Sequence, residues 1–322
     1  MLAFDLAKAF DRVSHFSILS CLKNIFSCSP RVIKFVHSFL SNRLQRVISS
    51  SLHVTPWVPV TSGVPQGSVL GPLLFALLVS DFPALSANSR LIAYADDFVL
   101  LHNVDSGTSD NLQTDVNTFV SWLLDKKIFL NVDKCKLITF SRSVPASLPS
   151  VTISDSLIHD VEVITFLGVI LQSNLKWDSH FRLVNTRVSR NMYIVKSLWS
   201  HNAPSDVLWQ AYMAYVFNVL AYCWPALCDY PISFIKKLLL YEKRACKWSS
   251  RVFSQSSLTD RLDRICIKSI MKIVRFYDVH PLKDFFSFRE PMLGIRHVRR
   301  LWPKKIKKQF FNKSFIRYSS CT

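Results

Sequence analysis

The stretch LIAYADDFVLL, Leu91 to Leu101, sets two adjacent carboxylates, Asp96 and Asp97, inside an otherwise apolar run. Burying an unpaired carboxylate costs several kcal/mol, so a fold built on this run needs a compensating cation. No Lys or Arg lies between Arg90 and Lys126. The positive charge is therefore expected from elsewhere in the fold, from a metal ion, or from both.

The residues around this point predict two short strands, RLIAYA and DFVLLHNV, meeting at the Asp pair. A second carboxylate, Asp5, follows an apolar strand in LAFDLAKAF, which turns helical after Phe10. SPRVIKFVHSFLSNR reads as a helix with Ser29 as N-cap and Pro30 in its first turn. QRVISSS and HVTPWVPVTSG are β-prone and expected to pair. Three of the six glycines, Gly63, Gly67 and Gly71, crowd into SGVPQGSVLGPLLF, which marks a close approach of the backbone. A buried helix is expected after them. Leu112, Val116, Phe119, Val120, Leu123 and Leu124 share one face of a further helix. KLITFSR is expected as a strand, and VTISDSLI with VEVITFLGVIL as a small β unit.

From Asp178 the pattern is mostly helical, with a stripe of Phe181, Val184, Val188, Met192 and Val195 and helix candidates at 204–224, 231–248 and 257–276. The fold class expected is α+β: an antiparallel sheet packed on helices over 1–177, a helical region over 178–250, and a basic helical region over 251–322.

Charge narrows the partners. The chain carries a net +18, of which +12 falls within residues 251–322. That asymmetry points to a polyanion, nucleic acid before membrane surface. The eight cysteines show neither CxxC pairs nor zinc spacing and read as free thiols in a reducing compartment. MLAFDLAKAFDR lacks the basic and apolar regions of a signal peptide, so nucleus or cytoplasm is expected rather than secretion. Residues 207–228 hold no charge, but Gln210, Asn218, three tyrosines and Pro225 interrupt them, and a buried helix is expected over a membrane span.

Carboxylates at the ends of apolar strands suit nucleotidyl transfer, in which two Mg²⁺ ions clamp the attacking and leaving oxygens. Mg²⁺ takes a few carboxylates together with substrate phosphates. On this reading Asp5 and Asp96 lie on adjacent antiparallel strands, within reach of a shared ion pair.

The order DLAKAFDRV, GVPQGSVLGPLLF, YADDFVLL, LNVDKCK and FLGV resembles motifs A to E of reverse transcriptases, in particular those of non-LTR, jockey-like retrotransposons. The likeness runs from about Ala3 to Phe181 and continues more loosely through LLLYEKRACKW and NKSFIRY. It implies a reverse-transcriptase palm, a helical thumb, and an RNA-directed DNA polymerase that joins a dNTP to a DNA primer 3′-OH on an RNA template. Two Mg²⁺ ions, or Mn²⁺ in their place, are implied as cofactors, with no membrane partner.

By the same resemblance Asp5 and Asp96 are metal ligands and Asp97 a weaker third; unaided, Asp5 also reads as a helix N-cap. Phe10 falls where the family stacks a side chain under the incoming sugar, with an ordinary core Phe as the competing reading. Lys8 and Ala9 would present backbone N–H groups to the triphosphate, and Asp11 reads as a local cap. Gln66 would touch nucleotide and template base, or else simply start a helix, and Gly67 lets the backbone approach. Lys134 matches the motif D lysine proposed to protonate pyrophosphate, with Lys136 as its competitor. FLGV, 166–169, matches the primer grip and is equally a good strand. RHVRRLWPKKIKKQ serves nucleic-acid contact or nuclear import.

Two features depart from the family. Its fingers subdomain precedes motif A, whereas Met1 stands four residues before Asp5 here, and Ser14 stands where the family commonly has Asp. The expectation is a chemically intact palm that shows no template-directed synthesis by itself. An inactive retroelement remnant that only binds nucleic acid is the alternative.

Overall fold

The computed structural model describes residues 1–50, 53–104, 111–141, 150–222, 224–226, 232–276, 286–289 and 300–303. The chain divides into two compact units, Met1–Lys176 and Trp177–Thr322.

The first unit opens with β1 (Leu2–Phe4), α1 (Ala9–Arg12), α2 (His15–Asn24) and α3 (Pro30–Leu40). Ser14 caps α2 by accepting from the Ser17 N–H at 3.3 Å. Ser29 and Pro30 begin α3, where the fixed φ of proline suits the first turn. The β-prone segments pair as β2 (Leu44–Gln45) with β5 (Val58–Pro59), and β3 (Ile48–Ser50) with β4 (His53–Val54). After α4 (Leu70–Leu78) come β6 (Ser89–Tyr94) and β7 (Asp97–His102), which form a hairpin with its two-residue turn at Ala95-Asp96. Next is α5 (Leu112–Asp125), followed by β8 (Lys136–Leu137). Two small hairpins close the unit: β9 (Val151–Ile153) with β10 (Ser156–Ile158), and β11 (Val163–Phe166) with β12 (Val169–Gln172).

The central sheet runs β6-β7-β1-β8, antiparallel in every pair. Its core face packs on α2, α4 and α5 through Leu2, Phe4, Phe75, Phe98, Leu100, Phe119 and Leu123, all buried. Phe4 and Phe119 bring their rings to 4.6 Å.

Two details differ from the sequence pattern. Leu124 is 55% exposed, because a stripe already filled by Val116, Phe119 and Leu123 turns the next position outward; Trp122 is buried in its stead. KLITFSR contributes only Lys136 and Leu137 as strand, opposite Ala3 and Leu2, and Ile138 then exchanges two backbone hydrogen bonds of 2.9 Å with Met1.

The second unit is helical: α6 (Asp178–Ser200), α7 (Ser205–Ala211), a π turn over Tyr212–Phe217, α8 (Asn218–Ala221), α9 (Ile232–Trp248) and α10 (Gln255–Arg275). The expected stripe of α6 is buried, with Val188 and Val195 fully enclosed, and Leu258, Leu262 and Cys266 of α10 join the same core. Among the described residues no helix is long and apolar enough to cross a membrane. A last hairpin pairs β13 (Phe286–Arg289) with β14 (Arg300–Pro303). Most of RHVRRLWPKKIKKQ, and all of NKSFIRY, lie outside the described residues.

Candidate active site

Asp5 follows directly on β1, and Asp97 is the first residue of β7. The register Leu2↔Leu100, Ala3↔Val99, Phe4↔Phe98, carried one step further, sets Asp5 opposite Asp97. Directly opposed residues of an antiparallel pair hold their Cβ atoms roughly 4.5–5.5 Å apart. Asp96 sits in the turn beside Ala95, whose φ of 53° is left-handed, a conformation that costs a non-glycine residue about 1 kcal/mol. Asp96 and Asp97 are exposed and Asp5 is half-buried. The apolar run thus does not bury its two charges: the hairpin turns at them and delivers them to solvent.

The three carboxylates still sense one another. The Asp97 pKa is raised by desolvation at the sheet end, then by the charges of Asp96 and Asp5. One cation stands near: Lys134 Nζ lies 3.9 Å from Asp5 Oδ2, both side chains being well exposed. The Asn131 N–H donates to the Asp5 carbonyl at 2.8 Å and fixes the strand end beside the turn that carries Lys134. A cavity of about 320 Å³ opens here, lined by Asp5, Asp97, Lys134, Lys136, Thr165 and Phe166. Strand β11 therefore forms one wall, and its hairpin turns through Leu167 and Gly168, both at positive φ, as a two-residue primed turn requires.

A second cavity, of about 620 Å³, lies where α1 meets the glycine-rich loop, with Lys8, Asp11, Arg12, Arg43, Gly63 and Gln66 on its walls. The Gly63 N–H donates to the Val13 carbonyl at 2.7 Å, and the Val64 N–H to that of Phe10 at 2.8 Å. A Cβ on Gly63 would meet the Asp11 carbonyl oxygen at 2.5 Å, and its φ is +84°, so only glycine fits this approach. Gly67, also at positive φ, has open space around it. The Gln66 Nε2 donates to Asp11 Oδ1 at 2.8 Å, which holds the amide at the rim. Lys8 is exposed in the left-handed region, whereas Ala9 is buried. Phe10 is half-buried with its ring 4.7 Å from that of Phe75.

The structure thus gathers Asp5, Asp97 and Lys134 at one cavity and Lys8 and Gln66 at the other. Asp96 stands at the adjoining turn, and Phe10 packs toward the core. Sequence reading passed over Arg12 and Arg43 on the second cavity. Their signal was available, because no Asp or Glu occurs between Asp11 and Asp81.

Among the described residues no group of three or more His, Cys, Asp or Glu side chains is assembled to enclose a metal ion. An open cluster of hard carboxylate oxygens nevertheless fits Mg²⁺, which completes its octahedron with water and phosphate rather than with a protein cage. The Asp97 carboxyl is pushed up first by desolvation and then by the like charges of Asp96 and Asp5, and a bound cation would offset that crowding.

In the second unit α6 exposes Arg182, Arg187, Arg190 and Lys196, and α9 exposes Lys236, Lys237, Lys243, Arg244 and Lys247. A cavity of about 510 Å³ lies among Phe181, Arg182, Asn185, Phe234 and Lys237.

Residues 1–171 match the family described as reverse transcriptase (RNA-dependent DNA polymerase). The RNA-directed DNA polymerase from mobile element jockey of Drosophila melanogaster is 31% identical over 204 residues, 59% of this chain and 22% of that protein. The probable RNA-directed DNA polymerase from transposon BS of the same fly is 28% identical over 233 residues, 68% of this chain and 25% of that protein. The chain spans about a quarter or less of the length of these curated relatives. Among solved structures, apo telomerase from Candida tropicalis is 13% identical with a TM-score of 0.43, covering 88% of this chain and 52% of that one.

Proposed function

This chain belongs to the reverse transcriptase family, and on that premise we propose that its first unit is the palm of an RNA-directed DNA polymerase that extends a DNA primer on an RNA template. The observation that carries the reading is that Asp5, next after the Phe4↔Phe98 pair, and Asp97, the first residue of β7, line one cavity beside the Asp96 turn. Asp5, Asp96 and Asp97 would hold two Mg²⁺ ions. Bound there, such ions would supply Lewis acidity to the primer 3′-OH and offset charge on the transferred phosphate.

The chain's own residues supply the rest. Lys134, 3.9 Å from Asp5, is placed to give a proton to departing pyrophosphate. Lys8 and the start of α1 face the triphosphate from the second cavity, and Gln66, steadied by Asp11, touches the incoming base pair. Phe10, its ring 4.7 Å from that of Phe75, would meet the incoming sugar only with the part of its half-buried ring that the core leaves uncovered. Strand β11, on the wall of the Asp5 cavity, guides the primer end. The exposed cations of α6 and α9 track the primer–template backbone, with a salt dependence that follows the number of phosphates neutralised.

Two measurements test this. Fe²⁺ substituted for Mg²⁺ should direct radical cleavage of the backbone next to Asp5 and Asp96; cleavage elsewhere would remove the metal assignment. Primer extension should be measured with the chain joined to the fingers segment of the jockey polymerase. Incorporation of dNTP is expected, and Asp96→Asn should abolish it. Binding without any incorporation would mark the chain as a remnant that only holds nucleic acid.

A further inference from the structure

His15 opens α2, the helix that Ser14 caps and that Ile18, Cys21 and Leu22 anchor in the core. Its half-buried ring sets Nε2 at 2.8 Å from the Gly63 carbonyl, 48 residues further along the chain. A carbonyl only accepts, so Nε2 carries the proton and donates. His15 is not among the residues that line the cavity of Lys8 and Gln66. The Gly63 N–H already donates to the Val13 carbonyl at 2.7 Å, so the imidazole completes the restraint of Gly63 on both sides. On either side of it, Ser62 Oγ donates to the Asp11 carbonyl at 3.1 Å and the Val64 N–H to the Phe10 carbonyl at 2.8 Å. Gly63 is buried, and a buried carbonyl that loses its donor has no easy substitute in water. Beyond this clamp the restraint ends, because Gly67 is exposed, at a φ of +78°, with open space around it.

From this we infer that His15 is a positioning residue for the incoming nucleotide: it fixes the Gly63 carbonyl, and through it the loop that presents Gln66 to the cavity. The inference rests on the polymerase reading and adds to it a residue that never touches the nucleotide. Gln66 stands between the clamped Gly63 and the unrestrained Gly67, so its place is set from the Gly63 side alone. Its own bond to Asp11 joins two exposed residues and competes with water, which leaves the buried clamp as the firmer of the two supports. A histidine that merely stitched α2 to the loop would alter stability without singling out the nucleotide. One that sets the place of Gln66 alters the affinity for dNTP and acts only while Gln66 is present.

The test has two arms. In the chain joined to the jockey fingers segment, His15→Phe keeps a ring and loses the donor, and it should raise KM for dNTP roughly tenfold with kcat nearly unchanged. His15→Gln, whose amide returns an N–H, should recover most of the loss. Added to Gln66→Ala, His15→Phe should raise KM no further, because the two act as one unit. The same fold-change with and without Gln66, a fall in kcat at constant KM, or no recovery with glutamine would overturn the inference. The second arm is hydrogen exchange on the 322-residue chain without dNTP or metal. The Gly63 and Val64 amides should exchange faster in His15→Phe, while the Ile18 amide, bonded to the Ser14 carbonyl, keeps its protection. Unchanged exchange at Gly63, or lost protection at Ile18 as well, would also overturn it. Absence of incorporation by the unsubstituted fusion would strike the polymerase reading, and the exchange arm would still decide the clamp.

Discussion

Glu242 in the helical unit is 1% exposed, with Arg261 Nη2 at 2.5 Å and the Tyr212 hydroxyl at 3.0 Å, whereas Asp5, Asp96 and Asp97 in the sheet unit stand at the surface with one lysine 3.9 Å from Asp5. Arg261 also lies over Phe217, 5.1 Å from its centre, so the buried acid is held by a cation that is itself packed. Around it, burial and Glu242 drive the Tyr212 hydroxyl pKa far upward, and the phenol stays a donor. The contrast separates two uses of a carboxylate. Where the charge is structural, the fold buries it with its partners already in place. On the proposed reading the surface carboxylates receive a ligand, and there the fold holds them close and leaves them wet.

The largest expected effect falls on the surface cluster. In the chain joined to the jockey fingers segment, Asp5→Asn should drop dNTP incorporation to background, while in the chain itself the melting of the first unit moves by less than about 1 kcal/mol, the scale of an exposed ion pair. A substantial loss of stability would make Asp5 a structural acid and dissolve the contrast.

Glu242→Ala should do the reverse. Removing one partner of a buried pair costs about 3–5 kcal/mol. Urea unfolding followed by tryptophan fluorescence, with eight tryptophans in the chain, reads this loss. An unchanged midpoint would mean that the network is incidental.

A buried acid inside the first unit sharpens the comparison. Asp115 on α5 is 4% exposed and accepts from the Ser86 N–H at 2.9 Å and the Ser86 hydroxyl at 2.5 Å. Burial raises its pKa, but the Ser86 and Ser89 hydroxyls and the Ser86 N–H outweigh it, and the net direction is down. A depressed carboxylate stabilises the fold above its unfolded pKa, and that contribution fades as pH falls through the lower folded value. Asp115→Asn should cost about 1–3 kcal/mol near neutrality and less in acid, by thermal melting across pH. A cost that grows in acid would reverse the assignment.

Lys134→Ala should have the smallest effect on stability, under about 1 kcal/mol, since both partners of its ion pair are exposed. Its signature is kinetic: in the chain joined to the fingers segment, kcat should fall with KM nearly unchanged. The same fall in Lys136→Ala alone would transfer the role to that neighbour, which lines the same cavity.

The sequence by itself determined the local elements and the family likeness. AYADDFV reads as strand, turn and strand because apolar neighbours on both sides of two carboxylates cannot stay in one buried strand, and β6 and β7 meet there. Ser29 and Pro30 announced α3, and the three close glycines announced a backbone contact made at Gly63. Tertiary structure decided what faces what. That Asp5 opposes Asp97, and that the Asp pair ends in solvent, follows from the β1–β7 register, which residues far apart in the chain set by packing Phe4 and Phe98 against Phe119. Glu242 likewise gave no sign in sequence of meeting Arg261 and Tyr212, each on a different helical segment. Side-chain period and turn chemistry act over a few residues and can be read along the chain. Register, exposure and charge pairing depend on which surfaces the core brings together, and those exist only once it has closed.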